Sequence, residues 1–331
     1  MINPSMWAKA LSGMPRIDQS TWNALDLFSR WLIASRAAVL VMTFTSAALA
    51  GLFAAKSNSF DFFLWLFVTL GLCLAHATNN LLNDLTDHIK GVDKDNYFRN
   101  RYGVQPIEAG LMSVKQNLLY AAVTGGLAVL CGVYLWTARG DAVITLTAVG
   151  AFFVLFYTWP LKYIGLGEPA VLLVWGPLMI GGGYYVISGD INWPVVVAAT
   201  TYALAPTAVL FGKHIDKLEA DKGKGIRTLP VILGHEKSRR AVMGLLIAQY
   251  PLIILLVLVG YFSPVVLLTL FSIPWLLRIN KFFGGPPPNH AEEAAEEFRK
   301  VWPLYYVAAA FWYTRRFGGL FTLTLILDAF I

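Results

Sequence analysis

Between Asn79 and Ser113 the chain gathers Asn83, Asp84, Asp87, Asp93 and Asp95 with Lys90, Lys94, Arg99 and Arg101, at the end of one long apolar run and just ahead of another. Carboxylates at the end of a membrane-embedded helix are costly unless they hold a cation or another charge. On a helix, Asn79, Asn83 and Asp87 recur every four residues and share a face, and Asp84 neighbours Asp87. A second stretch of similar kind runs from Gly212 to Gly234, where Asp216, Glu219 and Asp221 precede Gly225 and Arg227. Asp216 and Glu219 are helical neighbours, but Asp216 and Asp221 point apart on a regular helix. A local distortion, or a helix end near Glu219, is needed for both aspartates to converge. Hard oxygen donors without a His or Cys cluster suit Mg²⁺, which keeps several waters and bridges one or two carboxylates to phosphate oxygens. The interleaved Lys and Arg suit the remaining phosphate charge. The plainer alternative is a solvated charge run at each helix end, and the occurrence of two matching stretches weighs against it.

The scaffold that must position these residues is set by composition. Of 331 residues, 57% are hydrophobic and 14% charged, where soluble domains carry about a quarter charged residues. Apolar runs fall at about 31–54, 62–83, 118–136, 142–159, 169–187, 195–211, 241–262, 265–283 and 302–331. Each is near the roughly 20 residues a helix needs to cross a bilayer. The expectation is an all-α fold, a polytopic membrane helix bundle of about nine transmembrane helices with two Asp-rich loops on the cytoplasmic side. Residues 1–30 read as a polar, Trp-containing interfacial lead-in, and 31–331 as a single transmembrane domain. Arg315 and Arg316 interrupt the last run and read as helix-end anchors. No cleaved signal peptide is expected, because no short apolar core with a small-residue cleavage site opens the sequence.

Basic residues crowd alternate connections, those after the second, sixth and eighth runs, and leave the others nearly bare. By the positive-inside rule these connections and the N-terminus face the cytoplasm. The net charge of +6 then reflects topology and implies no nucleic-acid partner. Cys73 and Cys131 lie in different apolar runs and read as small buried hydrophobes. His76 and His214 read as hydrogen-bonded helix residues. The two Asp-rich stretches, four runs apart on one predicted side, suggest a pseudo-repeat with two half-sites facing one cavity.

These motifs resemble the UbiA superfamily of intramembrane prenyltransferases. Its first motif is similar to Asn83, Asp84 and Asp87 with Asp93, and its continuation to Pro106, Ile107, Gly110 and Ser113. The tail of its second motif is similar to Asp221, Gly225, Arg227, Thr228 and Leu229. Tyr157 to Lys162, Gly165 to Glu168, and Gly176-Pro177 through Tyr184 and Tyr185 resemble further family segments, nearest the 1,4-dihydroxy-2-naphthoate (menaquinone-pathway) branch. Arg36 resembles the Arg that opens the first helix. In one respect the chain departs from the pattern. The family places an Asp four residues before the last Asp of the second motif, and here that position is Lys217. Either Asp216 reaches through a bulge or Glu219 substitutes.

The resemblance implies an intramembrane enzyme that moves an isoprenoid chain from a prenyl diphosphate to a small aromatic, quinone-precursor-like acceptor. It implies Mg²⁺ held by Asn83, Asp87 and Asp93, and a second ion held by Asp221 with Asp216 or Glu219, Asp84 being part of the same catalytic group. Arg36, Lys94, Arg99, Arg101, Lys162 and Arg227 are the candidate diphosphate-binding cations. Tyr157, Trp175, Tyr184 and Tyr185 are candidates for a prenyl and acceptor pocket, where aromatic faces stabilise an allylic cation. The implied location is the cell (inner) membrane, in contact with its lipids, with the site opening to the cytoplasm. A membrane terpene cyclase, which quenches the same cation intramolecularly, is the rival enzyme. A transporter is a weaker rival, because transporter charges tend to sit near the bilayer midplane on broken helices.

Overall fold

The computed structural model describes residues 2–92, 105–299 and 301–329. Among these, every regular element is helical. Three short helices open the chain: α1 (Pro4–Ser12), α2 (Gln19–Ala24) and α3 (Leu27–Ala34). Longer ones follow: α4 (Leu40–Lys56), α5 (Phe62–Ile89), α6 (Val114–Arg139), α7 (Ala142–Phe156), α8 (Gly167–Ser188) and α9 (Trp193–Asp216). A single turn, α10 (Leu218–Gly223), leads to α11 (Leu229–Leu258), α12 (Pro264–Phe283) and α13 (Tyr305–Ala329).

Each of the nine expected apolar runs is represented by a helix, but among the described residues seven are long and apolar enough to cross a membrane. The exceptions are α7, with 15 residues, and α13, where Arg315 and Arg316 interrupt the apolar sequence. These two arginines lie inside α13, not at its end, and are exposed. Arg316 lies over the Trp312 ring at 3.9 Å, a cation–π contact.

The chain divides into two compact units, Met1–Ala47 with Phe62–Trp159, and Ala48–Asp61 with Pro160–Ile331. In the first, the lead-in folds its three short helices into a packed layer. Trp22, Leu25, Leu32 and Ile33 share one buried cluster with Leu81 of α5, with Leu111 and Met112 just before α6, and with Ala121 of α6. Asp26 ties this layer together, because its carboxylate accepts from the Ser29 hydroxyl at 2.6 Å, the Trp7 indole and the Asn3 amide. These bonds, the Ser29 hydroxyl foremost, hold its carboxyl down to about 2. The α5–α6 pair is close because small residues face it. A Cβ on Gly71 would stand 3.2 Å from that of Cys131, the small-residue contact that membrane helices favour.

At a rise of 1.5 Å per residue, α5 carries Asn83 about 30 Å from Phe62, roughly the thickness of the hydrocarbon layer. Its polar final turns therefore lie at the far boundary from its start.

In the second unit α9 is central and packs against α8, α11 and α13. The approaches are backbone to backbone: a Cβ on Gly176 would meet the Ala199 carbonyl at 2.9 Å, and one on Gly212 the Tyr306 carbonyl at 2.7 Å. Pro177 sits in a wide π-helical stretch, Val174–Gly182, an arrangement that absorbs the missing N–H. Several buried polar groups are paired across these helices: Tyr250 with Ser272 and Tyr313, and Gln249 with the Thr201 carbonyl. Gln249 therefore anchors α11 to α9 without leaving its amide unsatisfied.

Candidate metal and diphosphate site

The first group of candidates forms around a break in the chain. Arg36 stands between α3 and the turn leading into α4 with φ 54° and ψ 51°, a left-handed conformation uncommon for a residue with a long side chain. The carbonyl of Ser35 accepts from Asn80 Nδ2 at 2.8 Å, which satisfies a backbone group the break would otherwise orphan. The turn delivers the guanidinium to α5. Its Nη1 donates to Asn83 Oδ1 and its Nη2 to Asp84 Oδ1, each at 3.3 Å. On the other side Asn83 Nδ2 donates to the Thr158 hydroxyl at 3.0 Å. The Asn83 amide is thereby fixed, with oxygen toward Arg36 and nitrogen toward Thr158.

Asp84 also receives the backbone N–H of Ile107 at 3.4 Å, which brings the Pro106–Ile107 turn back against α5. Asp87 shares the face of Asn83 one turn further on and is fully buried, with Asn83 and Asp84 nearly so. Arg36, Asn83, Asp84 and Asp87 are thus brought together. Asp93, Lys94, Arg99 and Arg101 lie outside the described residues.

The donor chemistry of this group fits Mg²⁺: an amide oxygen and carboxylates, all hard, with no thiolate or imidazole among them. Among the described residues no three Asp, Glu, His or Cys side chains converge as a metal site. An ion here accordingly depends on the Asn83 oxygen, on Asp87 and on water. The two terminal nitrogens of Arg36 face Asn83 and Asp84.

The second group is dispersed. Asp216, at the end of α9, accepts the N–H of Tyr306 at 2.9 Å through Oδ1 and that of Val307 at 3.0 Å through Oδ2. It caps the start of α13, where exposed N–H groups need an acceptor. Gly212, one turn earlier on the same face, lets the two backbones approach closely enough for this. The α9 face carrying Gly212 and Asp216 is turned to α13, and the helix ends directly after Asp216, at Lys217 with φ −104° and ψ 6°. The Glu219 side chain is 73% exposed and lies 3.4 Å from the His235 ring.

Asp221 is buried and pairs with the ammonium of Lys217, Nζ to Oδ1 3.1 Å, the two side chains being 6% and 3% exposed. Among the described residues, Asp216, Glu219 and Asp221 do not converge on one point as a metal site. Nearby, Glu168 and His214 form a buried pair at 2.6 Å. Spacing gave no sign of it, since the partners lie on different helices. The same holds for Thr158, whose hydroxyl orients Asn83 from far along the sequence. His76 pairs with Thr43 at 2.7 Å, and both histidines are hydrogen-bonded helix residues as expected.

The remaining candidates lie as follows. Lys162 is buried, its Nζ 5.7 Å above the Tyr163 ring, while Arg227 is exposed and its carbonyl flanks Gly165. Tyr157, Trp175 and Tyr185 are half-buried. Tyr184 is buried and donates to the Ser57 hydroxyl at 3.3 Å. It lies near the end of α8, some 20 Å along the helix from Glu168, so it is not grouped with the charged residues at the start of that helix.

A model of the UbiA prenyltransferase family matches residues 44–304. The chain is 26% identical over 287 residues to a UbiA prenyltransferase domain-containing protein 1 homolog of Drosophila melanogaster, covering 85% of this chain and 79% of that one. It is 27% identical over 216 residues to 1,4-dihydroxy-2-naphthoate octaprenyltransferase of Escherichia coli, covering 63% and 70%. In fold it is similar to a UbiA homolog from Archaeoglobus fulgidus solved bound to GPP and Mg²⁺, with a TM-score of 0.62, 17% identity, and 88% and 99% of the chains covered. With its apolar helices and its family match over most of its length, the chain belongs to the UbiA prenyltransferase family and is an intramembrane prenyltransferase.

Proposed function

We propose that this prenyltransferase moves an isoprenoid chain from a prenyl diphosphate to a small aromatic acceptor of the quinone-precursor kind. The observation that carries the reading is the set Arg36, Asn83, Asp84 and Asp87 at the end of α5. It is a buried oxygen-donor group at the membrane boundary whose amide is oriented from both sides. Similarity to a naphthoate octaprenyltransferase supports the acceptor class, and an A. fulgidus homolog that binds GPP and Mg²⁺ supports the donor.

Asn83 and Asp87 hold Mg²⁺, with Asp93 joining them. The ion, when bound, neutralises charge on the leaving diphosphate so that no proton donor is needed there. Arg36 and Thr158 keep the Asn83 oxygen aimed at the ion, and Asp84 anchors the Pro106–Ile107 turn. Lys94, Arg99, Arg101, Lys162 and Arg227 are the cations assigned to the diphosphate. Heterolysis of the allylic C–O bond leaves the electron pair on the diphosphate and a cation on the chain. The acceptor ring carbon attacks that cation and then loses its proton. Tyr157, Trp175, Tyr184 and Tyr185 are the aromatic residues proposed for the prenyl and acceptor pocket, where electron-rich faces would shield the cation from water. Excess Lys and Arg in alternate connections set this end of the helices in the cytoplasm, in the cell (inner) membrane.

The test combines purified protein, Mg²⁺, labelled prenyl diphosphates of several lengths, and phenolic and naphthoic acceptors. The expected result is a prenylated aromatic product that requires both the metal and the acceptor. A cyclic hydrocarbon or alcohol formed without acceptor would identify a cyclase instead.

A further inference from the structure

Arg315 and Arg316 take no part in the site above, yet they stand where charge is costly. α13 has 25 residues to the 24 of α9, and the two helices lie antiparallel. Three contacts set their register. Asp216 accepts the Tyr306 N–H at 2.9 Å, the Thr314 hydroxyl donates to the Ala205 carbonyl at 3.3 Å, and a Cβ on Gly318 would stand 3.9 Å from the Tyr202 ring. Ala205 falls near the middle of α9, about 17–18 Å from either end. The backbone at Arg315 and Arg316 is therefore level with the middle of a hydrocarbon layer about 30 Å thick.

Charges at that depth are normally turned to the bundle interior or matched by a counter-charge. Here Tyr313, Phe317 and Phe321 occupy the core side of α13. Both arginines are exposed on the other side, as are Leu323 and Ile326 further along the helix. Among the described residues neither arginine forms an ion pair with a carboxylate. Both side chains lean back one turn toward the Asp216 end, as helical side chains do. Arg315 Cζ lies 5.8 Å from the centre of the Phe311 ring and Arg316 Cζ 3.9 Å from that of Trp312. Arg278 of α12 lies 4.9 Å from the same indole and braces it. The rings offset part of the cost. A guanidinium carries five N–H donors, however, and one of those on Arg316 goes to the Trp312 carbonyl at 3.1 Å.

We propose that Arg315 and Arg316 bind the phosphate of an anionic phospholipid, in the leaflet at the Asp216 end of α9. The planar guanidinium fork matches two phosphate oxygens at once. Side chains of this length carry their charge from the middle of the layer toward its boundary, and local thinning of the bilayer closes the remaining gap. The tails of the lipid then run along the exposed Leu323 and Ile326. Two cations facing one phosphate favour a headgroup with net negative charge. In a zwitterionic lipid the headgroup's own ammonium already answers the phosphate. The site lies on the outer surface of one helix and goes beyond the transferase reading, on which it does not depend.

Native mass spectrometry of the full chain in a neutral detergent tests this, because each bound lipid appears as a mass step. Phosphatidylglycerol and phosphatidylcholine with identical tails are titrated separately. The first phosphatidylglycerol is expected to bind about thirtyfold tighter than the first phosphatidylcholine, each arginine contributing about fivefold. In Arg315→Gln/Arg316→Gln that preference is expected to fall to about twofold or less. Arg315→Lys/Arg316→Lys should keep most of it, and Arg240→Gln, at an exposed position on α11, all of it. Equal affinity of the wild type for the two lipids would overturn the inference, and so would a preference that survives in the glutamine pair. Displacement of phosphatidylglycerol by an equal concentration of geranyl diphosphate would reassign the arginines to substrate capture. A two-chain mass that disappears in the glutamine pair, with no lipid preference, would make this face a contact between copies. Either result overturns the lipid assignment while leaving the transferase reading standing. Should the double variant fail to fold, Arg315→Gln and Arg316→Gln are each expected to lose about fivefold, and no loss in either would refute the site.

Discussion

Asp216→Ala separates a cap from a ligand. The Asp216 carboxylate takes two backbone N–H groups at the start of α13, at 2.9 and 3.0 Å. Hydrogen bonds to a charged group contribute about 1.5–3 kcal/mol each. The site is only partly buried, so water recovers some of the loss, and removal of both is expected to cost about 2–4 kcal/mol, at the upper end of measured caps. At about 2–4 °C per kcal/mol for a domain of this scale, the thermal midpoint in detergent should fall by roughly 5–10 °C. Asp216→Asn, which keeps one acceptor oxygen, should lose about half as much. Hydrogen exchange should locate the loosening in the first turn of α13. Mn²⁺ affinity, measured on the folded variant below its midpoint with an unreactive prenyl diphosphate analogue bound, should match the wild type. An unchanged midpoint together with lost Mn²⁺ affinity would refute this reasoning and return Asp216 to the metal.

Asp87→Ala, measured as initial prenyl-transfer rate across a Mg²⁺ titration, should lose at least about a hundredfold of turnover, because metal stabilisation of a leaving group is worth several kcal/mol. Gly212→Ala would set a methyl 2.7 Å from the Tyr306 carbonyl and should destabilise by about 1–3 kcal/mol, as overpacking does, visible as a lower thermal midpoint. For Asp26 the sign follows from a carboxyl held near 2 against an ordinary 3.8. The folded state favours the ionised form, so the stabilisation is present above the ordinary value and is withdrawn as pH falls through about 2. The wild-type advantage in thermal midpoint over Asp26→Asn should therefore shrink between pH of about 4 and about 2.

Helix type and the approximate spans were legible because a bilayer demands long apolar runs with satisfied backbones. The face shared by Asn83 and Asp87 followed from helical spacing alone. What spacing could not convey was competition for a side chain from elements distant in sequence. Asp216 looks like half of a metal motif, yet its acceptors serve Tyr306 and Val307, ninety residues away. The departure at Lys217 was visible as a residue out of place, but its meaning required the 3.1 Å contact with Asp221. The packing of the lead-in was hidden for a related reason. Its polar residues are consumed internally around Asp26, which leaves an apolar surface for α5 and α6.

The left-handed turn at Arg36 also has an electrical side. Had α3 run unbroken into α4, the N–H and C=O groups at the junction would have bonded to one another and left no helix end there. Because the chain breaks at Arg36, a fresh helix end opens at Ala37, and helix N-termini carry about half a positive elementary charge. That partial charge sits in the backbone beside the residue whose guanidinium reaches Asn83 and Asp84. It cannot be titrated away, and it does not swing aside on a long side chain. Replacing Arg36 would remove the guanidinium, yet a turn kept left-handed by Gly at that position would retain the field.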